Sequence, residues 1–232
     1  MRIDDRLEVL YEDNHIIAIN KRNNELVQGD NTGDQPLSDR VKEYIKDKYK
    51  KPGDVYLGLP HRLDRPVSGV ILFARTSKAL VRLNEMFQNK EEITKTYWAI
   101  VQKKPALEHE TLSGFILKNT EKNKSNLFNK PRNGAKECSL DYTLLSRTQN
   151  YYLMEINLHT GRHHQIRCQL AKIGCPIKGD LKYGYPRPNE DKSISLHARK
   201  ISFIHPVKKE RITIKANPPR KDALWTEFMQ QL

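Results

Sequence analysis

The chain has 232 residues, with 41 Lys+Arg against 28 Asp+Glu and a formal net charge of +13. That length suffices for one large domain with a sizeable core, and the cationic excess points to a polyanionic partner, nucleic acid before an anionic membrane surface. No apolar run approaches the roughly 20 residues that span a bilayer, Met1-Arg2-Ile3-Asp4-Asp5 lacks the apolar core of a secretory signal, and no glycine-rich phosphate loop or internal repeat is present. Cys138, Cys168 and Cys175 are odd in number and form no Cys-x-x-Cys pair, the pattern of reduced thiols in a cytoplasmic protein.

Taken in order, residues 7–11 and 16–20 read as two short strands around Glu12-Asp13-Asn14. Pro36 opens a helix whose Leu37, Val41, Ile45 and Tyr49 share one face. Residues 55–59 read as a strand leading into His61-Arg62-Leu63-Asp64-Arg65-Pro66-Val67-Ser68-Gly69, and the apolar run Val70-Ile71-Leu72-Phe73 that follows reads as a buried strand. Thr76 or Ser77 caps a helix carrying Ala79, Leu80, Leu83, Met86 and Phe87. Residues 94–102 alternate as a strand, with Tyr97 on one face and Trp98 on the other. Residues 114–117 form a further short strand, and residues 118–136 are expected to be a mobile loop with six cations and one anion, able to order against phosphate. Residues 140–145 pair with residues 152–158 in a hairpin. Ile166, Leu170 and Ile173 then mark a helix ending at Gly174, with His163 and Arg167 four apart on one of its faces. Residues 195–203 and 211–215 read as strands, and Leu224, Trp225, Phe228 and Met229 as a final amphipathic helix. No linker splits the chain, so residues 1–232 are expected to be a single domain. Its class is α+β, with a mixed, mainly antiparallel sheet and flanking helices.

Asp64 stands between Arg62 and Arg65 on a loop held by a strand, a common setting for a reacting group. Arg-x-Asp-Arg on a loop is also a common surface ion-pair cluster worth little. A metal site is not expected: His163 and His164 are adjacent and on a helix point about 100° apart, and no second cluster has ligand spacing. Ser68 lies outside a nucleophile elbow. A glycosidase would need a second carboxylate across a cleft, for which Asp180 is the nominee.

Several ordered motifs together carry a resemblance. His61-Arg62-Leu63-Asp64 with Ser68-Gly69 and the apolar strand resembles the catalytic motif of the RluA family of pseudouridine synthases. Lys95-Thr96-Tyr97-Trp98-Ala99-Ile100-Val101 resembles its second motif. Gly161-Arg162-His163-His164-Gln165-Ile166-Arg167 with Gly179-Asp180 and Tyr183-Gly184 resembles the third. Leu196-His197-Ala198 and the opening hairpin through Lys21 match further signatures, so the similarity covers nearly the whole chain. The chain departs from the pattern at Val67, Arg22, His163 and Gln169, where the family commonly has threonine, proline, threonine and histidine. The small N-terminal RNA-binding domain of some relatives is not seen.

The resemblance implies a fold with a central catalytic cleft and an isomerase that flips a uridine out of structured RNA, ribosomal or transfer, and rejoins the base through carbon. By the same resemblance, Asp64 is the catalytic carboxylate. Arg167 is the guanidinium that keeps it ionised, an attraction of about 4 kcal/mol at roughly 4 Å and an effective dielectric of about 20, before desolvation. Tyr97 stacks on the uracil and relays a proton. Arg62, helped by His61, holds phosphate or fills the gap left by the base; Arg162 and Lys182 contact the backbone; Leu196 lines the uracil pocket. No cofactor, metal or obligatory protein partner is implied, and a monomer is expected. Two rivals are an RNA-binding protein of the same fold without catalysis, and a glycosidase or nucleosidase using Asp64.

Overall fold

Alternating and unbroken apolar runs, closed by capping residues, produce ten strands and four helices in this computed structural model, which describes residues 7–30, 32–89 and 92–232. Residues 1–5, which lack the apolar core of a secretory signal, lie outside the described residues. The chain divides into two compact units, Met1–Ile93 with Ala198–Asn217, and Thr94–His197 with Pro218–Leu232.

In the first unit, β1 (Val9–Glu12) and β2 (Ile16–Lys21) form the expected antiparallel hairpin. β2 pairs antiparallel with β3 (Ser68–Ala74), beside which lies β9 (Leu196–Ile204), and β10 (Arg211–Lys215) pairs antiparallel with β9. All seven residues of β3 are buried, which is why its sequence is continuously apolar rather than alternating. Ile16, Ala18, Val70, Leu72, Ile201 and Phe203 form one core cluster with Ala79, Leu83 and Met86 of α2 (Ser77–Gln88). Each fully buried aliphatic side chain there contributes roughly 1.5–3 kcal/mol. Thr76 caps α2, its Oγ1 accepting from the Ala79 N–H at 3.2 Å. α1 (Leu37–Lys48) starts after Pro36 and buries Leu37, Val41 and Ile45, as their spacing requires. Tyr49 lies past its end and donates its hydroxyl to Glu12 at 2.8 Å.

The strand expected over residues 55–59 is a single antiparallel bridge, Gly58 to Ala74. Gly58 exchanges both backbone hydrogen bonds with Ala74 at 2.8 Å. Pro60 has no N–H to extend that ladder, and a Cβ at Gly58 would stand 2.7 Å from a Leu80 methyl.

Asp13 makes the β1–β2 turn by accepting from the backbone N–H groups of His15 and Ile16 at 2.8 and 2.9 Å. Buried His205 accepts the Val207 and Lys208 N–H groups on Nδ1, so its proton sits on Nε2 and is donated to Asp13 at 2.8 Å. Burial opposes the Asp13 charge, but the two backbone donors, the Tyr11 hydroxyl and His205 outweigh it and hold the carboxyl at about 2. The folded value lies below the unfolded one, so this stabilisation is complete above about pH 4 and is lost as pH falls toward about 2. Discounted for partial exposure it amounts to about 1–2 kcal/mol. Denaturant titrations at pH 6, 4 and 2.5 should therefore show a steeper acid loss in wild type than in Asp13→Asn; parallel losses would assign the acid sensitivity elsewhere.

In the second unit the strand order is β4 (Ile93–Val101), β8 (Tyr152–Leu158), β7 (Lys136–Arg147), β5 (His109–Asn119), β6 (Lys124–Phe128), antiparallel throughout. Trp98, Ile100 and Leu153 pack with Trp225 and Phe228 of α4 (Ala223–Gln231), which Asp222 caps. Residues 118–136 are not a mobile loop. They carry the end of β5, the turn and all of β6, with Lys118 opposite Ser125 and Asn119 opposite Lys124. The fold is α+β, as expected. Among the described residues no helix is long and apolar enough to cross a membrane.

Candidate active site

Asp64 is half-buried on the loop entering β3, and that loop is fixed through its main chain. The Val67 N–H donates to the Asp64 carbonyl at 3.0 Å, and the Asn24 N–H to the Arg65 carbonyl at 2.8 Å. Beneath the loop lies Lys21, the last residue of β2, which is 0% exposed. Its Nζ donates to the carbonyls of Arg22, Arg65 and Val67 at 2.9, 3.0 and 2.6 Å. Burial pulls this ammonium down to about 7, while the Glu25 and Asp64 carboxylates pull it up. Three carbonyl acceptors require three donors, which only the charged form has. A buried cation therefore supports the loop on which Asp64 stands.

The Ser-Gly pair of this motif also has a physical reason. Gly69 has φ +115°, and a Cβ there would lie 2.3 Å from the Ala198 carbonyl oxygen. Only glycine lets β3 approach β9 so closely. Of the neighbouring charges, Arg65 pairs at the surface with Asp34, outside the motif, at 2.5 Å. Arg62 is exposed. His61 is bound into the scaffold: its Nε2 accepts the Leu72 N–H at 3.0 Å and its ring stacks on Phe87 at 4.7 Å.

The other expected site residues belong to the second unit. Tyr97 is half-buried on β4, opposite Ile156 of β8. Arg167 is on α3 (Gln165–Lys172) and 5% exposed. Its Nε and Nη2 donate to the two oxygens of Asp180, itself 1% exposed, at 2.7 and 2.9 Å. Its guanidinium carbon also lies 5.2 Å from the centre of the Tyr183 ring. This bidentate clamp fixes the plane of the guanidinium. Asp180, weighed above only as a second carboxylate, is thus an anchor for Arg167, and Gly179 and Gly184, both at positive φ, bracket the tight turn that holds it.

The segment before α3 is stapled by the Gln165 side chain, whose Oε1 accepts from the Thr160 hydroxyl at 2.7 Å and the Arg162 N–H at 3.0 Å. Arg162 Nε donates to the Glu137 carbonyl at 2.9 Å. His163 and Arg167 do not share a helix face, because His164 takes the left-handed conformation at φ 52° and the helix begins after it. His163 stacks on His164 at 3.8 Å and bonds the Ser125 hydroxyl and the Asn123 side chain of the β5–β6 hairpin at 2.9 and 3.1 Å. Burial, then the nearby Arg167 and His163, hold His164 at about 2, so it is neutral at ordinary pH and bonds the Tyr183 hydroxyl at 3.1 Å. Lys182 donates to the Asn123 carbonyl at 3.0 Å. The cationic hairpin is therefore seated on the Arg162–Arg167 segment. Leu196 is buried at the start of β9.

The α+β fold is the one that the sequence motifs imply. A model of the RNA pseudouridylate synthase family matches residues 15–172. The chain belongs to this family. The matched span holds Asp64, Tyr97 and Arg167 and ends before Asp180. The synthase is 30% identical over 243 residues to tRNA pseudouridine synthase C of Haemophilus influenzae, with 97% of each chain covered. It is 32% identical over 219 residues to ribosomal large subunit pseudouridine synthase C of Rickettsia bellii, covering 91% of this chain and 68% of that one. It is 32% identical over 204 residues to an uncharacterized RNA pseudouridine synthase of Mycoplasma capricolum, and the match covers 85% of this chain and 65% of the relative. The solved human RNA pseudouridylate synthase domain containing 4 shares its fold, with a TM-score of 0.79 and 23% identity over 96% of this chain and 93% of that one.

Proposed function

We propose that the synthase converts uridines in structured transfer or ribosomal RNA to pseudouridine, with Asp64 as the reacting carboxylate. The observation that carries this reading is a half-buried Asp64 on a main-chain-fixed loop above a buried ammonium, within the segment that matches the family. Tyr97 supplies the aromatic face for the extruded uracil. Arg167, held rigid by Asp180, supplies a guanidinium that favours negative charge around it. Arg62, exposed two residues before Asp64, takes an RNA phosphate or the space left by the flipped base. The reaction detaches the base, turns it and rejoins it through carbon, so mass is unchanged. The three cysteines are buried free thiols, in keeping with a reducing cytoplasm, and we read residues 1–232 as one catalytic domain acting as a monomer. Mapping of pseudouridine in unmodified transcripts incubated with the enzyme tests the proposal. New sites at unchanged mass support it; release of free uracil would favour a glycosidase.

The β5–β6 hairpin is the candidate RNA-docking element. Lys118, Lys122 and Lys130 are exposed on or beside it. Replacing the three by glutamine should lower the slope of log affinity against log salt by about 2–3. Fluorescence anisotropy at four salt concentrations reads this slope, and an unchanged slope would remove the hairpin from the interface.

A further inference from the structure

Beside the Asp64 loop, within the first unit, lies an open cleft of about 610 Å³, bordered by His61 and Arg62. This volume is within the roughly 300–1,000 Å³ range of sites that take small organic groups. We infer that the cleft is a second RNA subsite, which receives an unstacked nucleobase within one or two nucleotides of the target uridine. The inference rests on the reading of the chain as an RNA uridine isomerase and adds to it a determinant of sequence context.

The chemistry of the walls favours a base over a phosphate or a peptide. Pro36, Leu57, Leu59 and Pro60 supply flat apolar surface for a ring face. Gln28, Asp39 and Lys42 are among its polar lining groups. The Gln28 amide offers one donor and one acceptor, the pair that a base edge satisfies and that matches adenine best. Asp39 repels phosphate and Arg62 attracts it, so the strand's backbone belongs by Arg62 and the base by Asp39. Asp39 and Lys42 pair at 3.5 Å with both side chains about half exposed, an arrangement that contributes little to the fold and leaves both groups accessible to a ligand. Arg62 and Asp64 are two residues apart, at most about 7 Å along an extended chain. A strand delivering a uridine to Asp64 thus passes the cleft within a nucleotide or two.

The test is a double-mutant cycle read by equilibrium binding, run on the full chain with the tightest-binding unmodified tRNA or ribosomal stem-loop. One axis is Gln28→Ala/Lys42→Ala, both surface positions. The other is an abasic ribose placed in turn at each of the two nucleotides on either side of the target. At one position, loss of the base should weaken wild-type binding by about 10-fold. The same abasic change should weaken the variant no further, and the rate at saturating RNA should be unchanged by the protein substitutions. Additive effects at every position would overturn the inference. So would a variant that binds as tightly as wild type, or one weakened alike on all RNAs with only a smaller salt slope, which marks a phosphate contact. Pseudouridine formation is scored separately: its absence in wild type would reject the catalytic reading, while the binding cycle still decides the cleft.

Discussion

Asp64→Asn should cut the rate of pseudouridine formation by about 10²–10⁴-fold, while leaving RNA binding at least as tight as in wild type. Asparagine has nearly the shape of aspartate but offers neither a negative charge nor a basic oxygen. The loop survives the change because its anchors run through main-chain atoms: the carbonyls of Arg65 and Val67 on Lys21, and that of Asp64 on the Val67 N–H. Binding holds or tightens because a carboxylate near phosphates repels them. The measurement is pseudouridine mapping on unmodified RNA with both proteins, beside a binding isotherm for each. Sites made by wild type alone identify the reacting group and the substrate together. Equal turnover by the variant would remove Asp64 from the chemistry. Tight binding without sites in either protein would point to a binding protein of this fold.

The elements around Asp64 are legible in the sequence because their signals are local. An unbroken Val-Ile-Leu-Phe run makes β3, a threonine cap followed by apolar residues at helical spacing makes α2, and alternation makes β8. What escapes sequence reasoning is set by partners far along the chain. Lys21 reads only as the end of the opening hairpin until β3 brings it the carbonyls of Arg65 and Val67, 44 and 46 residues away. Asp180 reads as one acid in a polar turn until α3 sets Arg167 against it. Residues 118–136 read as a mobile loop because β6 is short and polar. Its order comes from Ser125, buried and bonded by Tyr183 and His163. The displaced start of α3 follows from one residue, His164, adopting a backbone conformation that its side chain gives no reason to expect. Motif order thus identifies Asp64, Tyr97 and Arg167 as candidates but not the groups that hold them.

Lys21→Met is expected to be the most damaging substitution outside the reacting groups. Methionine fills much of the same volume and removes the charge, yet around a side chain with no exposure to water it takes the ammonium donor from the carbonyls of Arg22 and Val67 and leaves that of Arg65 with the Asn24 N–H. An unsatisfied buried acceptor costs about 1–3 kcal/mol, and part of this is regained because the ammonium no longer has to be desolvated. A net loss of about 3 kcal/mol is a large share of the 5–15 kcal/mol that ordinarily holds a domain. Two of the three carbonyls lie within three residues after Asp64 on the same loop, so the damage should be local as well as global. In urea titrations the midpoint should fall. Below the transition, amide exchange at Val67 and Asn24 should speed up more than in the core of α2, because both donate to carbonyls of the Asp64 loop. Turnover should fall further than RNA affinity, since what is loosened is the platform of the carboxylate and not the cationic hairpin. A variant with a lower midpoint but wild-type exchange at Val67 and Asn24, and turnover intact below the transition, would make Lys21 a packing residue only. Loss of exchange protection together with loss of turnover would make it the brace that holds Asp64 in place.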